Sequence, residues 1–251
     1  MNEGTLQDFI EAPDRAVVDL LAPGGVMRAG INLSNFLLVT GRDANGDPTG
    51  VSPDMARALA GTLGAEMRPV AYESPGLVAD AAERDDWDVA LIGAEPQRAA
   101  VIAFAPAYTE IEASYLVPET SPLRTIAEVD RPGVRIAVTD RTAYGLWLDR
   151  NIAQAELVRT KTIDEAAEAF AERRLEALAG LRPRLIADVR AIPNTRILDG
   201  QFMAVQQAIG TPIRKAEALD YLSRFVRRAI ESGFVASLIR KHQVEGLTVA
   251  E

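Results

Sequence analysis

The chain has 251 residues, 48% of them hydrophobic, with a formal charge of −9, one His and no Cys. That length accommodates one large or two modest domains with a sizeable core. The acidic balance removes the cationic field that non-specific nucleic-acid binding needs, and the lack of Cys excludes disulfides, thiolate metal sites and cysteine nucleophiles.

In chain order, a helical segment at about Thr5 to Leu21 leads into GGVMRAGINL, which reads as a strand. RDANGDPTGVS carries an Asn45-Gly46 turn signal and predicts a short hairpin or loop. SPDMARALAGTLG predicts a helix with Ser52 as its cap, Pro53 in its first turn, Gly64 at its stop, and Met55, Leu59 and Leu63 as its inner stripe. Strand MRPVAY, helix PGLVADAAER and strand WDVALIG follow, and the acidic run Glu83 to Asp88 reads as a solvated turn. YLVPETSPL is an extended connection. Next come strand RIAVTD, helix RTAYGLWLDRN and strand LVRT. Thr162 to Glu165 matches a capping box opening the helix DEAAEAFAERR. LEALAG and TRILDG read as strands around a helix at PRLIADVR, and FMAVQQAIG is a second extended connection. Thr211-Pro212 then starts a long amphipathic helix with Leu219, Leu222, Phe225, Val226 and Ile230 on one side, and Gly233 separates it from the last helix, FVASLIRKH.

The alternation of strands and helices predicts an α/β protein with largely parallel sheets. Two extended crossovers imply two lobes joined by a hinge: a discontinuous lobe one of residues 1–115 and 206–251, and a lobe two of residues 116–205. Small ligands favour the cleft between such lobes. No apolar run reaches the ~18 residues a membrane span needs. The N-terminus, MNEGTLQDFIEAPDR, lacks the features of a signal peptide, so a cytoplasmic location and a removed leader both stay open. No dinucleotide fingerprint, Walker loop or G-x-S-x-G motif is present. His242, on a basic helix end, reads as a surface residue, and no metal site is expected.

The order of VMRAGINL, GDPTGVSPDMARALAGTLG, WDVALIGAEPQRAAVIAFAPAY, YLVP, GVRIAVTDRTAYGLWL and AFAERRLEALAGLRP resembles the solute-binding proteins of ABC transporters, specifically bacterial solute-binding protein family 3. The resemblance covers about residues 24 to 245. It implies a type II periplasmic-binding-protein fold, each lobe a mostly parallel sheet flanked by helices, with two crossover hinge strands. It implies a non-enzymatic, cofactor-free monomer in the periplasm that traps a small carboxylate-bearing solute in the interlobe cleft, its closure recognised by an ABC permease. The family's carboxylate-gripping arginine falls on Arg98, and its helix-opening Ser/Thr on Thr142. Both are suited to an anion, since a guanidinium forks onto a carboxylate and a helix N-terminus offers unpaired N–H groups.

Asn35 falls near the family's aromatic position after the first strand, with Phe36 beside it; Asn32 and Ser34 share that loop. The family's ammonium-binding aspartate aligns with Leu181. Either Glu95 supplies the missing charge or the ligand lacks an ammonium, and Arg182 points to a diacid as a further option. Tyr144 is a candidate for lining the cleft, whereas Trp147 and Tyr108 read as packing. Gln206 and Gln207 read as hinge hydrogen-bonders. The rival readings are a dehydratase or lyase acting on a cyclohexadienyl acid, with Glu95 or Glu176 as general acid, and a cytoplasmic ligand sensor.

Overall fold

The structure, a computed structural model, describes residues 12–251. The Thr5–Glu11 part of the expected first helix lies outside the described residues. The chain divides into two compact units, one of residues up to Glu110 together with Gln206–Glu251, the other Ile111–Val205.

The first unit opens with α1 (Arg15–Leu21) and β1 (Val26–Asn32), followed by the short hairpin β2 (Gly41–Arg42) and β3 (Pro48–Thr49) around Asn45-Gly46. Helix α2 (Val51–Thr62) buries Met55, Leu59 and Leu63, as their spacing predicts. Strand β4 (Glu66–Tyr72), helix α3 (Pro75–Asp80) and strand β5 (Val89–Gly93) complete two parallel crossovers. β1 pairs in parallel with both β4 and β5. All five residues of β5 are buried, as expected of an apolar run inside a parallel sheet covered on both faces. Trp87 anchors one side of this layer among Val78, Ala81, Ala90, Ile92 and Ile102, its indole donating to Val78 O at 3.0 Å.

Strand β6 (Ile102–Pro118) carries the chain from the first unit into the second. There β7 (Arg135–Thr139), α4 (Ala143–Asn151), β8 (Glu156–Thr160), α5 (Ile163–Glu172), β9 (Ala177–Leu181), α6 (Arg182–Ala191) and β10 (Thr195–Ile197) follow in turn. β7 lies in parallel between β8 and β9, while β6 pairs antiparallel with β9 and β10. Phe170, Leu175, Leu178 and Leu185 form the centre of this unit's core with the alanines of α5.

Strand β11 (Met203–Pro212) returns the chain and pairs antiparallel with β5, so Gln207 lies beside Gly93 and the Ala94 N–H donates to Gln206 O at 2.7 Å. Helices α7 (Leu219–Glu231) and α8 (Phe234–Lys241) and strand β12 (Thr248–Val249), paired to β6, close the fold.

Several local expectations are corrected. Ser52 is not the α2 cap: Gly50 holds that position, and the Ser52 hydroxyl instead pairs with the buried Tyr108 hydroxyl at 2.8 Å. Thr162 does cap α5, accepting from Glu165 N, but the Glu165 carboxylate takes the Lys161 N–H, so the box is only half formed; a full box sits at Thr125–Glu128. Thr211 and Pro212 end β11, and a 3-10 turn (Ile213–Ala218) precedes α7. His242 is not a free surface residue: its side chain is 13% exposed and bonds Asp54 at 2.7 Å, beside Lys241 on the same carboxylate. The acidic turn is solvated only in its first half. Asp88 is fully buried, bonded by the Arg28 guanidinium, the Arg28 N–H and Lys215.

Gly50 sits at φ 140°, a backbone region that side-chain-bearing residues rarely adopt. A Cβ there would lie 2.4 Å from Leu38 O and 2.9 Å from Thr40 N, both backbone atoms. Gly50→Ala is therefore expected to cost about 3 kcal/mol from strain and displaced backbone, read as a lower midpoint in urea unfolding; an unchanged midpoint would show that this approach is not needed.

Candidate ligand-binding site

In each unit the residues singled out above sit at the C-terminal ends of parallel strands, where open α/β sheets place their ligands. In the first unit β1 and β5 are neighbours, so the loops that follow them emerge at the same end of the sheet. The loop after β1 is folded by its own side chains. Asn32 accepts from the Ser34 N–H and hydroxyl at 3.2 and 2.8 Å, and Asn35 accepts from Leu37 N at 3.2 Å. Asn35 is buried and committed to this turn. Phe36, next to it, is 41% exposed. The loop rests on the start of α2, where Ser52 N donates to Leu38 O. Gly50 permits this approach.

After β5 the chain runs through Glu95 into a short 3-10 turn, Arg98–Ala100. Glu95 and Arg98 are both buried, at 5% and 3% exposure. Arg98 N donates to Glu95 O at 2.9 Å, and its guanidinium donates to Gly93 O at 2.6 Å, which aims the side chain back along the strand end. Enclosing a permanent cation is costly unless anions or carbonyls meet it.

In the second unit β7 and β9 are parallel neighbours. β7 leads to Thr142, the N-cap of α4, whose hydroxyl accepts from Gly145 N at 3.1 Å and donates to Thr139 O at 2.9 Å. The helix start is pressed close to the strand end: a Cβ on Gly145 would lie 2.7 Å from Thr139 O. Tyr144 is buried, and burial raises its pKa against the pull of the Thr139 and Thr142 hydroxyls. Leu181 ends β9 and precedes α6, presenting an apolar, largely buried side chain. Trp147 is half-buried, its ring 5.2 Å from that of Phe202. Thr142→Ala is expected to cost about 1 kcal/mol of stability, as the loss of a hydroxyl N-cap does, whereas Thr142→Ser keeps it. Thermal unfolding of the two variants distinguishes the cases.

Other charged groups are engaged elsewhere. Arg182 is held by Glu112 at 2.5 Å and by Gly200 O, and Arg184 by Asp164 and Asp188. Glu176 is ion-paired and hydrogen-bonded to Arg135, which lowers its pKa and keeps it ionised, the wrong state for a general acid. An open depression of about 450 Å³ in the second unit, along α5 and β8, is lined by charges of both signs including Asp140, Arg159 and Glu168, and by none of the candidate ligand-facing residues. Among the described residues, no group of three or more acids and histidines could hold a metal, and no helix is long and apolar enough to cross a membrane.

Residues 32–245 match the family described as bacterial extracellular solute-binding proteins, family 3. No curated protein matches the chain. Among similar solved structures, a mutant of ArgBP from T. maritima is 21% identical with a TM-score of 0.71, over 91% of this chain and 100% of that one. A putative binding component of an ABC transporter from Wolinella succinogenes, complexed with lysine, is 16% identical with a TM-score of 0.71, over 87% and 95% of the two chains. An ancestral amino acid-binding protein, a precursor of cyclohexadienyl dehydratase, is 19% identical with a TM-score of 0.70, over 89% and 98%. At these identities the likeness is one of fold, and the fold is that of type II periplasmic binding proteins.

Proposed function

Because the chain belongs to the bacterial extracellular solute-binding proteins, family 3, we propose that it binds a small carboxylate-bearing solute, an amino acid or a related organic acid, as the substrate-binding component of an ABC transporter. The two units act as the lobes, and each supplies ligand-facing residues from its strand ends. Arg98 receives the carboxylate together with the start of α4 at Thr142. Asn35, Phe36, Glu95, Tyr144 and Leu181 shape the remainder, with Asn35 and Tyr144 as fixed walls and Phe36 as an exposed aromatic. The partner is the permease of the same transporter, the working location is outside the cytoplasmic membrane, and the chain acts as a monomer without a cofactor.

The observation that carries this reading is the placement of Arg98. A guanidinium enclosed at the C-terminal end of a parallel strand and steered by Gly93 O suits a bidentate grip on a carboxylate. A lyase on the same scaffold draws no support from Glu176, which Arg135 keeps charged. The test is isothermal titration of the protein with the L-amino acids, 2-oxo acids, dicarboxylates and aromatic acids. One acid class is expected to bind with a dissociation constant in the micromolar range or below, and prephenate and arogenate are expected to remain unconverted. Turnover of either compound, or no binding by any acid, would sink the proposal.

A further inference from the structure

We propose that Gln207 is a specificity-determining residue of the first unit: its side-chain amide hydrogen-bonds a neutral polar group of the solute, a hydroxyl or carboxamide a few bonds away from the carboxylate. This rests on the reading of the chain as a binder of carboxylate solutes through Arg98.

Gln207 reads from the sequence as a hinge hydrogen-bonder, yet its side chain forms no hydrogen bond among the described residues. It is nevertheless only 4% exposed. A buried amide left unpaired is destabilising, and native folds keep few of them. Among the described residues, the side-chain polar atom that is wholly enclosed and without a partner is Thr109 Oγ1. The Gln207 amide differs from it, because its nitrogen and oxygen are not sealed in and a ligand group can reach them.

The sheet register places this amide next to Arg98. Gln207 lies directly opposite Gly93, and the neighbouring pair is the one joined by the Ala94 N–H to Gln206 O bond. Gln207 and Gly93 are therefore a non-hydrogen-bonded antiparallel pair, with Cα atoms about 4.5 Å apart and the Gly93 carbonyl turned away from β11. That carbonyl accepts from the Arg98 guanidinium. The last residue of β5 is thus flanked by a cation on one side and an amide on the other, one to two strand spacings apart, about 5 to 10 Å. A single small molecule spans that distance. The amide both donates and accepts but carries no charge. An ion brought against it in a buried place would lack compensation, whereas a hydroxyl or carboxamide would be satisfied.

The experiment titrates wild type, Gln207→Met and Gln207→Leu calorimetrically with matched acids, one of each pair lacking the polar group: L-threonine and L-2-aminobutanoate, L-glutamine and L-methionine, L-malate and succinate, 4-hydroxybenzoate and benzoate. In the pair that binds most tightly, wild type is expected to favour the polar member by ~10-fold, the scale of one hydrogen bond. Both variants are expected to bind the two members equally and to hold the less polar one as wild type does. Either variant suffices where the other fails to fold. No preference in wild type, a preference that survives in the variants, or an equal loss for both members would overturn the inference. Urea unfolding without ligand adds an independent readout. Gln207→Met removes an unpaired polar group, so it is expected to be at least as stable as wild type; a clear loss of stability would show that the amide has a partner within the protein and would also overturn the inference. If no acid binds the wild type, the functional reading itself fails, whereas binding without discrimination within the pairs sinks the role of Gln207 alone.

Discussion

Replacing Asp88 with alanine is expected to destabilise the first unit by about 3 to 5 kcal/mol, the scale for removing one member of a buried, hydrogen-bonded ion pair. Asp88 has no solvent exposure, and its carboxylate accepts from Arg28 N, Nε and Nη2 and from Lys215 Nζ, at 2.6 to 3.0 Å. Without it, the carboxylate left to Arg28 and Lys215 is that of Asp85, at the longer distances of 3.5 and 3.6 Å. The effect is also pH-dependent, with a definite sign. Burial by itself would raise the Asp88 pKa, but the bonds from Arg28 and then Lys215 outweigh it and hold the carboxyl below its ordinary value. A depressed pKa contributes stability above the unfolded carboxyl value of ~3.9 and loses it as pH falls through the folded value. The stability gap between wild type and Asp88→Ala is therefore expected to be full at pH 7 and to narrow below about pH 4. Urea unfolding at pH 7 and pH 3 measures it, and a gap equal at both would refute the electrostatic account.

Replacing Arg98 with alanine is expected to weaken ligand binding by ~100-fold or more, since truncating a buried charged partner costs about 2 to 5 kcal/mol. Arg98→Lys is expected to recover little of this, because an ammonium cannot fork onto both carboxylate oxygens and cannot reproduce the planar contact to Gly93 O. Both variants need to be folded for the comparison to count, and far-UV circular dichroism reports that. The contrast with Thr142→Ala is informative. Thr142 acts through the helix cap, so its loss is the smaller of the two in binding and is accompanied by a loss of stability.

Much of the fold was legible because it rests on local periodicity. The α2 stripe of Met55, Leu59 and Leu63, the fully buried runs of β5 and β9 and the Thr142 cap each follow from a short stretch of residues. What escaped depends on partners far away in the chain. Ser52 reads as a cap until Tyr108 claims its hydroxyl, and Gly50 takes the cap position at a φ that only glycine adopts readily. Asp88 reads as surface until Arg28 and Lys215 enclose it, and His242 until Asp54 does. The Thr125–Glu128 box was available in the sequence, since Thr-Ile-Ala-Glu carries the required spacing. At the candidate site, the strand-end positions of Arg98, Asn35, Thr142 and Leu181 follow from the strand assignments. The burial of Arg98 and Tyr144 depends on packing that no local pattern encodes.

The measurement that bears most directly on the central claim is the ligand-induced rise in melting temperature, recorded for wild type and Arg98→Ala with the same acids. At ~100 times its dissociation constant a ligand adds about 2.7 kcal/mol to the native state. One acid class is expected to raise the melting temperature of the wild type and to raise that of Arg98→Ala far less, since a ~100-fold weaker ligand at the same concentration adds only about 0.4 kcal/mol. Equal shifts in both proteins would contradict the claim, because the solute would then be held without the arginine.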